Sequence, residues 1–177
     1  MELAAREVLP MFSEVFPSRL KEVRKSHGFT QNEVAKELNL HQVNLCRYET
    51  GVCEPDIETL AQLSDFYGAS IDWLIGVRTL PGKREHFLHP ESNWDGLKIR
   101  STNFPLKMKT ARADMRLSQA QAAKGIKIPR STLTKYELGQ LQPSLEVLAR
   151  IVIFYNITAD WLLGLADVSS PLLYEVS

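Results

Sequence analysis

Net charge is the first thing missing. Lys and Arg number 21, Asp and Glu also number 21, and the formal charge at pH 7 is zero. That excludes a uniformly basic coat for nucleic acid. Cysteine is scarce, with only Cys46 and Cys53 in 177 residues. Two thiols cannot staple a chain of this size, so a reducing cytoplasm is the expected compartment. No long apolar run is present either. The most apolar stretch, 147–165, is broken by Arg150, Asn156 and Asp160, which rules it out as a membrane span. The N-terminus, Met1-Glu2-Leu3-Ala4-Ala5-Arg6-Glu7, is too acidic and too short in its apolar run for a secretion signal. His41, His86 and His89, with the two cysteines, make no recognised zinc set. No Ser/His/Asp or Cys/His group and no glycine-rich phosphate loop is visible. An enzyme, a metal centre and a bound cofactor are therefore not expected. With nothing in the sequence to activate them, Cys46 and Cys53 read as inert thiols, with a redox switch as the sharper alternative.

What is present is a repeat. Shifted by 88 residues, 16–76 align on 104–164 without a gap, and 21 of the 61 pairs are identical. Among them are Phe16/Phe104, Pro17/Pro105, Arg24/Arg112, Gln31/Gln119, Ala35/Ala123, Leu45/Leu133, Tyr48/Tyr136, Glu49/Glu137, Gly51/Gly139 and Pro55/Pro143. Two copies at so long a period predict two complete domains, not a solenoid. The zero total charge hides their asymmetry. Unit 1 (16–76) has six basic and nine acidic residues, and unit 2 (104–164) has nine and four.

Each unit punctuates into five helices. Pro17 suits a first helical turn, and helix 1 runs on to Gly28. Thr30-Gln31-Asn32-Glu33 and Ser118-Gln119-Ala120-Gln121 are capping boxes that start helix 2. Helix 3 starts near His41 or Pro129 and stops before Gly51 or Gly139. Asp56 and Ser144 cap helix 4, and Ser70 and Thr158 cap a short helix 5. The expected architecture is all-α: two five-helix bundles at 16–76 and 104–164. An irregular linker at 77–103 joins them, with a short extended piece near Leu97 as an option. Residues 1–15 form an N-terminal extension with its own apolar stripe (Leu3, Val8, Met11, Phe12), and 165–177 form a tail able to dock.

Helices 2 and 3, separated by a few residues, have the spacing of a helix-turn-helix. Ala35 is small where they cross. Leu38, Leu40, Leu45 and Tyr48 are expected inside. Gln31, Asn32, Gln42, Val43, Asn44, Cys46 and Arg47 are left on the outside, where helix 3 could enter a major groove. Tyr48, Tyr136, Trp73 and Trp161 read as core aromatics, not base-stacking platforms.

Taken together, these motifs resemble the lambda-repressor/Cro-like family, also called XRE. In unit 1 they are Thr30-Gln31-x-x-x-Ala35, Asn44-Leu45-Cys46-Arg47-Tyr48-Glu49-x-Gly51, Pro55 and Ile71-Asp72-Trp73-Leu74-Ile75-Gly76. In unit 2 they are Ser118-Gln119-x-x-x-Ala123, Thr132-Leu133-Thr134-Lys135-Tyr136-Glu137-x-Gly139 and Pro143. The resemblance implies sequence-specific binding of operator DNA, most simply to repress a bacterial or phage promoter. It implies that Gln31, with Asn32 beside it, and Gln119 clamp phosphates. His41, Gln42, Val43 and Asn44 would face bases, as would Arg130, Ser131 and Thr132. Arg47 and Lys135 would reach a base or phosphate. The chemistry agrees: glutamine pairs with adenine, valine touches a thymine methyl, and arginine forks onto guanine.

Two other readings stay open here. The acidic balance of unit 1, with Glu33 and Glu37 on helix 2, suits a protein partner. One unit would then act as an antitoxin or as an inhibitor of a host defence protein, while the other represses its own promoter. Activation through RNA polymerase would use the same DNA grip as repression. A homodimer through helix 5 or the tails is compatible with all three, and none involves a membrane.

Overall fold

The computed structural model describes residues 12–77 and 103–166. They fall in two compact units that divide at residues 90 and 91. Every regular element among the described residues is a helix. Unit 1 contains α1 (Phe12–Ser26), α2 (Gln31–Glu37), α3 (Gln42–Glu49), α4 (Ile57–Tyr67) and α5 (Ile71–Leu74). Unit 2 contains α6 (Asn103–Asp114), α7 (Gln119–Ile126), α8 (Arg130–Glu137), α9 (Leu145–Tyr155) and α10 (Ala159–Leu162). The expected stripe through Leu3, Val8 and Met11, most of the expected linker with His86 and His89, and most of the expected tail lie outside the described residues. No described helix is long and apolar enough to cross a membrane. No group of three His, Cys, Asp or Glu among the described residues is placed to hold a metal ion.

Local chemistry sets the helix boundaries. Thr30 accepts from the Glu33 amide, and Glu33 accepts in return from the Thr30 amide; Ser118 and Gln121 repeat the exchange. Such a box satisfies two of the amides that a helix start leaves without partners. Asp56, Ser144, Ser70 and Thr158 accept from the amides three residues on. Helix 4 stops at a left-handed residue in each unit: Gly68 (φ 61°) and Asn156 (φ 52°). Asparagine is among the few other residues that take this conformation readily.

One boundary differs from expectation. Helix 1 of unit 1 starts at Phe12, so Pro17 lies inside it and not in its first turn. The proline removes one amide, and its preset φ still fits the helix. In unit 2 the equivalent Pro105 is the third residue of α6, where its amide would have had no helical partner. The same proline is therefore a start residue in one copy and an interior residue in the other.

The core repeats with conservative exchanges. Leu20, Leu45, Leu60 and Leu63 are fully buried in unit 1; Met108, Leu133, Leu148 and Ile151 are their counterparts in unit 2. Each such side chain contributes about 1.5–3 kcal/mol when taken from water, and swaps of similar volume disturb packing little. Tyr48, Tyr136 and Trp73 are buried as expected. Trp161 is only half-buried. The Lys107 ammonium covers its ring at 4.9 Å and donates to the Trp161 carbonyl at 2.6 Å. Arg19 does the same over Trp73, at 5.1 Å from the ring centroid and bonded to the Trp73 carbonyl. A basic residue of helix 1 thus adds a second donor to a carbonyl that already accepts the amide of Gly76 or Gly164 at the end of helix 5, and it stacks on an aromatic face.

Candidate nucleic-acid interface

In unit 1, α2 and α3 are joined by four residues, and in unit 2, α7 and α8 by three. Val34, Ala35 and Leu45 are buried, as are Ala122, Ala123 and Leu133. These small and branched residues close the crossing. The face they leave outside carries the residues singled out from sequence. Asn32, His41, Gln42, Val43 and Arg47 are exposed, while Gln31 and Asn44 are half-buried. Val43 is 61% exposed, so its methyl groups are free to meet a thymine methyl. In unit 2, Arg130, Ser131 and Lys135 are exposed, and Gln119 and Thr132 are half-buried. His41 precedes α3 without a side-chain capping bond, and Pro129 does the same for α8.

Behind this face sits a polar chain that sequence reading left unassigned. Arg24 on α1 donates through Nε and Nη2 to the two carboxylate oxygens of Glu49, at 2.5 and 2.8 Å. Its third nitrogen donates to the Phe29 carbonyl at 2.8 Å. Glu49 is only 6% exposed, and it accepts a further bond from Gln31 Nε2 at 2.9 Å. Gln31 Oε1 in turn accepts from Gln42 Nε2 at 3.0 Å. The chain runs from the first helix, through the core, to the first residue of α3.

Unit 2 has the same root and a different tip. Arg112 donates to Glu137 at 2.6 and 3.1 Å and to the Leu117 carbonyl at 3.0 Å. Gln119 Nε2 donates to Glu137 at 2.9 Å. Gln119 Oε1, however, faces the Thr134 hydroxyl at 3.3 Å, and that hydroxyl also lies 3.1 Å from the Arg130 carbonyl. One hydroxyl proton serves two acceptors, so this link is the looser of the two. The structure thus brings Gln31 and Gln42 together. It does not bring Gln119 to Arg130.

Burial alone would push both carboxyls up. Hydrogen bonds from Arg24 and Gln31, with the charges of Arg24 and Lys21, hold Glu49 below its ordinary value instead. Arg112 and Gln119 do the same for Glu137. Hydrogen bonding to these carboxylates raises Arg24 and Arg112 in turn. A buried pair of this kind is worth little against an apolar replacement. Losing one partner strands a charge and costs about 3–5 kcal/mol. The signal for this pair was present in the sequence, since Arg24/Arg112 and Glu49/Glu137 are identical at a shared spacing.

Several acidic residues of unit 1, besides Glu49, are engaged in structure. Glu33 closes the capping box, and bonds from Thr30 lower its pKa. Asp56 caps α4, and Asp72 is buried in α5. In unit 2 the box is closed by the neutral Gln121.

Comparisons with known proteins agree with this geometry. One region, of 67 residues, is 43% identical to the HTH-type transcriptional regulator ImmR of Bacillus subtilis, covering 38% of this chain and 53% of that protein. A 61-residue region is 39% identical to the SPbeta prophage-derived HTH-type transcriptional regulator YonR of the same organism, over 34% of this chain and 56% of the relative. Another 61-residue match, at 31% identity, is to the cryptic phage CTXphi transcriptional repressor RstR of Vibrio cholerae, over 34% and 55% of the two chains. The chain spans about half the length of these relatives. No solved structure matches it at a significant level. The helix-turn-helix family matches twice, at residues 20–74 and 108–162, so the chain belongs to that family in two copies.

Proposed function

We propose that the chain is a sequence-specific DNA-binding transcriptional regulator acting as a repressor, with one operator half-site read by each unit. The observation that carries this reading is the doubled α2–α3 face. In each copy, an exposed row of base-reading residue types stands on a helix-turn-helix braced by a buried Arg–Glu pair. The regulator and repressor relatives support it. Gln31 and Gln119 hold phosphates, with Asn32 beside them. His41, Gln42, Val43 and Asn44 read one half-site, and Arg130, Ser131 and Thr132 read the other. Arg47 and Lys135 supply the longer reach.

The domain boundaries that go with this reading are 16–76 and 104–164, and the segment between them acts as a tether. Successive major grooves on one face of DNA recur about every 34 Å. Once one unit is bound, a tether that spans this gap raises the effective concentration of the other without any new contact. Acting on DNA places the protein in the cytoplasm of a bacterial or phage-infected cell, without a catalytic step.

Selection of bound sequences from random duplex DNA tests the reading. The intact chain is expected to enrich a two-part site. Gln42→Ala/Arg47→Ala should relax one half, and Arg130→Ala/Lys135→Ala the other. A single short site indifferent to the unit 1 changes would reassign unit 1 to a protein partner. No enriched sequence would overturn DNA reading altogether.

A further inference from the structure

Resting on the regulator reading above, we infer that the buried Arg24–Glu49 pair sets the base preference of unit 1 from behind, whereas its twin Arg112–Glu137 sets none in unit 2. Arg24 and Glu49 are positioning residues that act through Gln31 on Gln42.

The inference follows from donor and acceptor inventories. An ionised carboxylate only accepts hydrogen bonds. Glu49 is fixed in place by two bonds from Arg24, so the half of the Gln31 amide that faces it must be the NH2. The carbonyl oxygen of Gln31 then points outward. An outward acceptor requires a donor, so Gln42 turns its own NH2 toward it. Each amide is thereby fixed against its flipped form, which is otherwise nearly the same shape. What Gln42 has left to present is its Oε1 and its second N–H. Adenine offers an acceptor at N7 and a donor at N6 in the major groove, whereas guanine offers two acceptors, N7 and O6. A glutamine held in this orientation matches adenine and leaves its Oε1 against O6 of guanine.

The same root in unit 2 ends otherwise. Glu137 holds Gln119 with its oxygen outward, but that oxygen meets Thr134. Arg130 stands at the position equivalent to Gln42, and a guanidinium has donors only. It has no amide to flip, so the orientation of Gln119 cannot alter which base it accepts. Cys46 occupies the position equivalent to Thr134. The two tips have therefore exchanged roles along the recognition helix: an amide link at its first residue in unit 1, a hydroxyl link at its fifth in unit 2.

The test uses the full chain and duplexes selected by it. The base pair at which Gln42→Ala relaxes the preference is replaced by each of the other three. The intact chain should favour adenine over guanine there by roughly tenfold or more, within the range of one good bidentate contact. Glu49→Gln should reduce that ratio by about threefold or more, because a neutral amide at 49 no longer dictates how Gln31 faces. The salt dependence of binding should stay the same, since no Lys or Arg that neutralises a phosphate is removed and Gln31 is uncharged. Glu137→Gln should weaken binding evenly, with every base ratio in its half unchanged.

Gln31→Met leaves the Arg24–Glu49 pair intact and decides the matter if Glu49→Gln fails to fold. It should lower the same ratio. An enriched duplex whose adenine ratio is unchanged in a folded Glu49→Gln, or in Gln31→Met, overturns the inference alone. So does a relaxation by Glu137→Gln equal to that by Glu49→Gln. No enriched duplex overturns the regulator reading and this inference with it.

Discussion

Gly125→Ala should destabilise unit 2 although it improves the helix in which it sits. A Cβ at this position would lie 2.0, 2.4 and 2.8 Å from three ring atoms of Phe154. Carbon atoms pack at about 3.5–4.0 Å, so the ring must move by well over an ångström. Forcing an extra carbon into such a contact costs about 1–3 kcal/mol. Replacing a helical glycine with alanine returns up to about 1 kcal/mol. The net expectation is a loss of about 0–3 kcal/mol. The sign should reverse when the ring is absent: in a Phe154→Ala background the same substitution should stabilise by up to about 1 kcal/mol. The chain has two units, so a single melting curve mixes them. Amide hydrogen exchange resolved to α7 and α9 assigns the change to unit 2. A stabilising Gly125→Ala in the otherwise unaltered chain would refute the reasoning, because it would mean that the half-buried Phe154 ring gives way at less cost than the helix gains.

The remaining predictions concern the buried polar groups and the basic face. Arg24→Met leaves the Glu49 carboxylate buried without its partner and should cost unit 1 about 3–5 kcal/mol by denaturant titration, with unit 2 unaffected. Glu49 and Glu137 have lowered values in the folded protein. Their contribution is therefore full above the ordinary carboxylate range and is lost as pH falls through the lowered values, so acid titration should destabilise both units. Burial pushes the Tyr155 hydroxyl up from 10 to about 12. Its contribution is full below pH 10 and is lost as pH rises toward 12, a change on the order of 2–3 kcal/mol. Tyr155→Phe should abolish that alkaline loss. It should cost little near pH 7, since the hydroxyl is buried with no hydrogen-bond partner among the described residues. With Lys135 reaching a phosphate, Lys135→Ala should flatten the slope of log affinity against log salt by roughly one.

Much of the fold could be read from the sequence because caps and apolar spacing are local. Thr30, Asp56, Ser70, Ser118, Ser144 and Thr158 each cap the helix they were expected to start. The beginning of helix 1 was not readable from Pro17, because proline is compatible both with a first turn and with the interior position it takes here. Of the site, exposure was legible and connection was not. Outward positions such as Gln42 and Arg130 follow from helical periodicity. The bond from Gln42 to Gln31, and that from Gln31 to Glu49, span 11 and 18 residues. No local pattern reports contacts across such separations. Only the pairing of Arg and Glu across both copies hinted at them.

Where the copies agree and where they part carries the functional argument one step further. On helix 3, Leu45, Tyr48 and Glu49 recur as Leu133, Tyr136 and Glu137, and these are the buried residues of α3 and α8. His41, Gln42, Val43, Asn44, Cys46 and Arg47 correspond in sequence to Pro129, Arg130, Ser131, Thr132, Thr134 and Lys135, and not one of the six pairs is identical. Packing and charge burial impose the same demands on both bundles and hold those positions alike. The outward positions answer to no shared demand within the fold, and they have separated in size, charge and hydrogen-bonding type. Two copies retained for identical targets would have had reason to keep one reading surface. Amide and aliphatic groups in one unit, set against guanidinium and hydroxyl groups in the other, are what two dissimilar half-sites would require. An asymmetric operator, and not a palindrome, is therefore the target to expect for a single chain.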